Sequence, residues 1–225
     1  MDPLSLHADA SRPALVHGAV LPWQASPSAG VERRLLERVG GEVALATSIV
    51  RYAPHSHFAP HEHGAGEEFL VLEGVFSDEH GDYPAGTYVR NPPGSHHSPR
   101  TEPGCIILVK LRQMAQTENV RIVIDTAQRQ WGRGDAEGHR RLDLYTNREN
   151  GEHVTIERLD GGTSLPAVEC SGGEEIFVLS GGLADEQGEY LSGTWIRNPQ
   201  GYRRGLKSTS SAVFWAKRGH LAAAR

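Results

Sequence analysis

Cysteine is scarce in this chain of 225 residues: only Cys105 and Cys170 are present, far apart in sequence. That excludes a disulfide framework and predicts two free thiols in a reducing compartment. No window approaches the roughly 18 apolar residues of a membrane span, and the first residues show no basic region followed by an apolar stretch. The expectation is a cytoplasmic protein with no membrane partner. Basic charge is not in excess, since 23 Lys and Arg stand against 28 Asp and Glu for a net charge of -5. Nucleic acid is therefore not an expected partner. Helical periodicity of any length is also missing. What is present is a 38% hydrophobic fraction with 26 glycines and 13 prolines, the balance of a turn-rich globular protein that leans toward β structure.

The chain repeats itself. Gly66-Glu67-Glu68-Phe69-Leu70-Val71-Leu72-Glu73-Gly74 aligns with Gly173-Glu174-Glu175-Ile176-Phe177-Val178-Leu179-Ser180-Gly181, an offset of 107. The match runs on through Gly86-Thr87-Tyr88-Val89-Arg90-Asn91-Pro92 against Gly193-Thr194-Trp195-Ile196-Arg197-Asn198-Pro199. The same offset places Arg33-Arg34-Leu35 on Arg140-Arg141-Leu142 and Arg51 on Arg158, while Trp23 falls one residue short of Trp131. Within each unit the apolar runs are short and bounded by Gly, Pro, Asn or Asp, which predicts β-strands in a sandwich or barrel. The expected division is an N-terminal arm at 1–16, a first unit at 17–116 and a second at 117–225. Residues 117–129 are expected to form a connector or strand.

Twelve histidines are present, and several crowd into one stretch. In His61-Glu62-His63 the imidazoles sit at i and i+2, so on a strand both project from one face. Gly64-Ala65-Gly66 supplies a turn, after which Glu67 can bring a carboxylate to the same point. His97, beyond the rigid Asn91-Pro92-Pro93-Gly94 turn, is the candidate fourth ligand. Three neutral imidazoles and one carboxylate suit a divalent transition metal, with Zn or Fe foremost and Mn, Ni or Cu alternatives, better than Ca or Mg. His55, His57 and His96 read as rim or outer residues rather than ligands. No independent general base is evident, His57 being the one nearby candidate.

These residues resemble the cupin family. His61-Glu62-His63, Glu67 and Gly74 match the spacing of its first motif, and Gly86, Pro92-Pro93-Gly94 and His97 match the second. The matches fail only at the edges: Thr101 stands where the family has asparagine, and His55 where it has glycine. The phrase from Glu67 to Glu79, with Arg90-Asn91-Pro92-Pro93-Gly94-Ser95, is most similar to the cupin domain of ChrR-type anti-sigma factors, and acetylacetone-cleaving dioxygenases are similar cupins. The resemblance implies an all-β chain of two tandem jelly-roll barrels of the double-stranded β-helix type. Carrying the ligand positions forward by 107 gives Val168, Cys170, Glu174 and Arg204. The second barrel is thus expected to hold no metal, with the Arg204 guanidinium replacing the cation opposite Glu174.

Three functions fit this reading. The first is a mononuclear metal-dependent dioxygenase acting on a small diketone or hydroxyketone, with Phe69 and Val71 lining a dry pocket on Glu67's side of the strand. The second is a ChrR-like sensor or regulatory module that binds a small ligand. The zinc domain that grips a sigma factor has no counterpart here, so a sigma factor is not an expected partner. The third is a closed structural zinc site. Homodimerisation is expected from the strand edges that duplicated barrels bury.

Overall fold

A computed structural model describes residues 5–41 and 43–221. Both expected units are present as β-barrels of the jelly-roll type, connected by turns and two short 3-10 segments, Gly18–Val20 and Thr126–Gln128. No helix among the described residues is long and apolar enough to cross a membrane.

By contacts the described residues divide into one unit of 5–8 with 21–128, and another of Asp9–Val20 with 129–221. The stretch read as an arm is therefore shared: Ala14–His17 forms a strand that pairs with Thr194–Asn198 in the second unit. Ile122–Asp125, in the segment read as a connector or strand, is a strand that pairs with Thr87–Asn91 in the first. In the first unit the main sheet runs Ile122–Asp125, Thr87–Asn91, Glu67–Asp78, Cys105–Leu111, Leu45–Tyr52, Val31–Val39, Gln24–Ala25. The second unit repeats this order with Ala14–His17, Thr194–Asn198, Glu174–Ser180, Ala212–Arg218, His153–Leu159, His139–Thr146, Gly132–Arg133.

Alternation along these strands turns every second side chain inward. Val31, Val50, Phe69, Val71, Phe76, Tyr83, Val89, Ile107 and Val109 fill the first barrel. Ile176, Val178, Tyr190, Ile196, Phe214 and Ala216 fill the second at matching positions. Each valine, isoleucine or phenylalanine among them, fully buried, contributes about 1.5–3 kcal/mol of transfer free energy. Phe69 and Val71 face inward as parity requires, but they are sealed in this core at 1% exposure each rather than lining a pocket. The carbons that line the cavity come from neighbouring strands instead.

Backbone geometry accounts for two of the motif positions. Gly74 and Gly181 both lie in the left-handed region, at φ 71° and 74°, where a Cβ would collide with a neighbouring carbonyl. His55 has φ 58°, so the position at which the related family carries glycine keeps the conformation that favours glycine.

Strand register revises one alignment. Arg33 pairs with Val50 and Arg141 with Glu157, so the counterpart of Arg33 is Arg141, one residue beyond the ungapped match. The cause is the following hairpin, which is one residue longer in the first unit: Glu37 pairs with Thr47, whereas Tyr145 pairs with Val154.

Candidate metal centre

Two short strands and the start of a long one build the site. His61–Glu62 pairs antiparallel with His96–His97, setting His61 directly across from His97. The chain then turns through Gly66, at φ 78°, into the strand Glu67–Asp78. His63, Glu67 and His97 are buried at 6%, 7% and 2% exposure, while His61 is exposed. The three rings lie 4.6–5.1 Å apart, centroid to centroid, each steeply inclined to the others at 76–82°. One ligand atom from each of the four residues lies within 4.8 Å of all the rest. The sequence-expected set His61, His63, Glu67 and His97 is thus brought together.

The hydrogen-bond partners behind the rings decide which nitrogen of each carries the proton. His61 Nδ1 lies 3.2 Å from the Ala59 carbonyl, which can only accept. His63 Nδ1 lies 3.0 Å from Ser95 Oγ, and that hydroxyl donates its own proton to the Pro92 carbonyl at 2.6 Å, leaving an oxygen that accepts. His97 Nδ1 lies 3.4 Å from Asp78 Oδ2. All three rings are therefore held as Nδ1–H tautomers with the Nε2 lone pair directed toward the common point.

There the buried Nε2 atoms of His63 and His97 have no hydrogen-bond partner, although Glu67 Oε2 lies 3.4 and 3.6 Å away. Two orphaned acceptors facing a carboxylate are costly unless a cation sits among them. The donor set fits a divalent transition metal. Glu67 is itself oriented by Asn91 Nδ2 at 3.1 Å.

Electrostatics favours the ligating forms. Burial lowers the His63 pKa, keeping the ring neutral, against the opposing pull of Glu67. Burial alone would push the Asp78 carboxyl up. Hydrogen bonds from His97, Tyr83 and the His80 amide outweigh it, and Arg121 adds to them, holding Asp78 down at about 2. Asp78 is thus an ionised acceptor for His97. The variant Asp78→Asn is expected to weaken metal affinity about 10–100-fold while leaving the four ligands in place. Competition against a chromogenic chelator measures this, and an unchanged affinity would remove Asp78 from the centre.

The cluster lies on a cavity of about 540 Å³ with apolar walls that include Val31, Val50, Phe58 and Val109, and with Tyr52, Arg33 and Arg112 supplying polar groups. The remaining histidines stay outside it: His55 pairs with Glu102 at 2.7 Å on the exposed surface, and neither His57 nor His96 lines the cavity. Sequence reasoning missed Asp78, Asn91 and Ser95. The first two recur in the repeat as Asp185 and Asn198, and that recurrence was a usable signal.

In the second unit the expected Arg204–Glu174 pair is present, with Nη2 donating to Oε2 at 2.6 Å. It belongs to a larger network, in which Arg218 bonds Glu174 at 2.8 Å and Glu157 at 2.5 Å, and His139 meets Glu157 at 3.0 Å. By register Arg218 stands where the first unit has Leu111, and Glu157 where it has Val50. Burial would raise the Glu174 pKa, yet Arg218 and Arg204 hold it below the ordinary range. Burial pushes both thiols up to about 11, so neither Cys105 nor Cys170 is a ready nucleophile. Among the described residues, no group of metal-binding side chains like that of the first unit occurs in the second.

Comparison with known proteins agrees with this architecture. A dioxygenase candidate from Nostoc punctiforme superposes with a TM-score of 0.78 at 15% identity, over 95% of this chain and 85% of that one. A candidate glyoxylate-induced protein from Pseudomonas aeruginosa superposes with a TM-score of 0.75 at 16% identity, over 98% and 92%. Oxalate decarboxylase from Bacillus subtilis superposes at 0.63 and 12% identity, over 92% and 76%. At these identities the likeness is one of fold. No curated protein matches the sequence. The model of the ChrR cupin-like domain matches residues 11–115 and again 119–222, so the chain belongs to the ChrR cupin-like family and carries its domain twice.

Proposed function

We propose that the first barrel is the active site of a metal-dependent enzyme, a dioxygenase acting on a small diketone or hydroxyketone. The observation that carries this reading is the pair of orphaned Nε2 atoms of His63 and His97 beside Glu67, in a cluster whose His61, His63 and Glu67 line a cavity of ligand size. Four protein donors leave up to two positions of an octahedral ion open, enough for a bidentate oxygen ligand or for a substrate and dioxygen. Bound there, a divalent metal supplies Lewis-acid and redox chemistry. The chain's own part is to hold the imidazoles as neutral donors through Ala59, Ser95 and Asp78, and to keep water from the cavity with Val31, Val50, Phe58 and Val109. That the cluster opens on such a space favours this reading over a closed structural zinc site.

Among the fold neighbours, a candidate dioxygenase and an oxalate decarboxylase with Mn(II) centres support a metal-dependent enzyme as the broad class. The family's link to ChrR supports a second reading, a non-catalytic sensor in the same pocket. Elemental analysis of protein purified without added metal or chelator, followed by oxygen uptake with pentane-2,4-dione after iron loading, separates the two. About one equivalent of metal with diketone-dependent uptake is expected. Metal without turnover of any diketone or hydroxyketone would favour the sensor, and a folded protein that binds no metal would overturn both.

A further inference from the structure

We infer that the ligand of the first barrel carries a carboxylate and that Arg33 receives it, an assignment that rests on the metal-site reading above. Arg33 stands on the strand Val31–Val39, two residues from Val31 and in register with Val50. Both valines belong to the barrel core, so parity points Arg33 inward too. It is half-buried and lines the same cavity as His61, His63 and Glu67.

The two barrels supply an internal control. In the second unit the counterpart Arg141 is neutralised by Asp143 at 3.3 Å and Asp135 at 3.7 Å. In the first unit those positions are Leu35 and Pro27, and the adjacent Glu32 is engaged by Arg51 at 2.5 Å. The Arg33 guanidinium forms no ion pair or hydrogen bond with the described residues. The guanidinium is thus retained, without its counter-charges, in the barrel that has the metal donors.

The surroundings fit an anion. Burial, and then Glu67, raise the Tyr52 pKa well above the ordinary phenol value, so its hydroxyl stays a donor. Tyr52 lines the cavity, and its hydroxyl makes no hydrogen bond among the described residues. Arg112, exposed, adds a second cation to the lining, to which the exposed Glu62 also belongs. Of the charged residues lining the cavity, Arg33 and Arg112 balance Glu62 and Glu67, so a divalent ion held there would make the lining positive overall. A guanidinium is a forked donor matched to a carboxylate, and a partly desolvated one binds it more strongly than in water.

The test uses the zinc-loaded protein and titration calorimetry with two probes, 4,6-dioxoheptanoate and its primary amide. They share the diketone and differ in the charge of the tail. The wild type is expected to bind the acid at least about tenfold more tightly, as a charged hydrogen bond warrants. In Arg33→Gln that preference should fall below about twofold at unchanged zinc stoichiometry, and Arg33→Lys should restore part of it. Equal affinity for acid and amide, a preference that survives Arg33→Gln, or no binding of either probe to zinc-loaded protein would overturn the assignment. Failure of the metal reading shows itself separately, as absent zinc before any probe is added.

Discussion

His63→Ala is expected to lower metal affinity by more than about a hundredfold, so that protein purified alongside the wild type retains almost none of the single equivalent. The magnitude follows from rank. Loss of an outer hydrogen-bond partner costs about 10–100-fold, and loss of a donor at the ion must exceed it. His63 is a sharper choice than His61 because it is buried, its Nδ1 is committed to Ser95, and its Nε2 has no other use in the structure. Removing the ring also leaves Glu67 and His97 facing a void. The readout need not depend on turnover: at a thousandfold excess over Kd, metal should stabilise the wild type by about 4 kcal/mol against unfolding. That metal-dependent rise in Tm should vanish in the variant. A variant that still gains stability with metal would show that the ion binds elsewhere.

The second large effect belongs to the other barrel. Arg218→Ala takes a partner from two buried carboxylates at once, leaving Glu157 with His139 and Glu174 with Arg204. Breaking such a network costs about 3–5 kcal/mol, and the partial exposure of Arg218 places the expectation near 3. For a chain of this size that is a fall in Tm of about 10 °C.

The pH dependence has a definite sign. Burial opposes ionisation of Glu157 and Glu174, but Arg218 first among their partners holds both pKa values below the ordinary carboxylate range. Groups depressed in the folded state contribute stability above the unfolded pKa, about 4.3 for glutamate, and lose it as pH falls toward the folded value. The wild type should therefore weaken only in acid below about pH 4, and Arg218→Ala should begin to weaken at higher pH. Urea unfolding between pH 3 and 8 measures both. A variant within about 1 kcal/mol of wild type across that range would show the network to be dispensable.

How far these features were legible depends on what the repeat compares. The ligand set could be read because i, i+2 spacing on a strand has one geometric meaning, and because the cis comparison with Val168, Cys170 and Arg204 marks those positions as variable in kind. Arg204 opposite Glu174 followed from the same offset. Glu157 and Arg218 did not, because their counterparts are Val50 and Leu111, core residues that carry no chemical signal. Parity placed Phe69 and Val71 inside but could not say how deep, since strand alternation fixes a face and not the level at which a barrel closes. Arg33 was set against the wrong partner because a single extra hairpin residue shifts register without disturbing the motifs on either side.

The strand Ala14–His17 also imposes an order on biosynthesis. It leaves the ribosome long before its partner Thr194–Asn198. Elongation between the two takes on the order of ten seconds. The first unit has all its strands once Gln128 has emerged, because Ile122–Asp125 closes onto Thr87–Asn91 at short range. The second must wait for Thr194–Asn198 and Ala212–Arg218 while its opening strand hangs unpaired. Throughout that interval the segment is free to pair with the same sequence edge of another nascent copy. On crowded polysomes, exchange of this one strand between chains is the misassembly that the topology most invites.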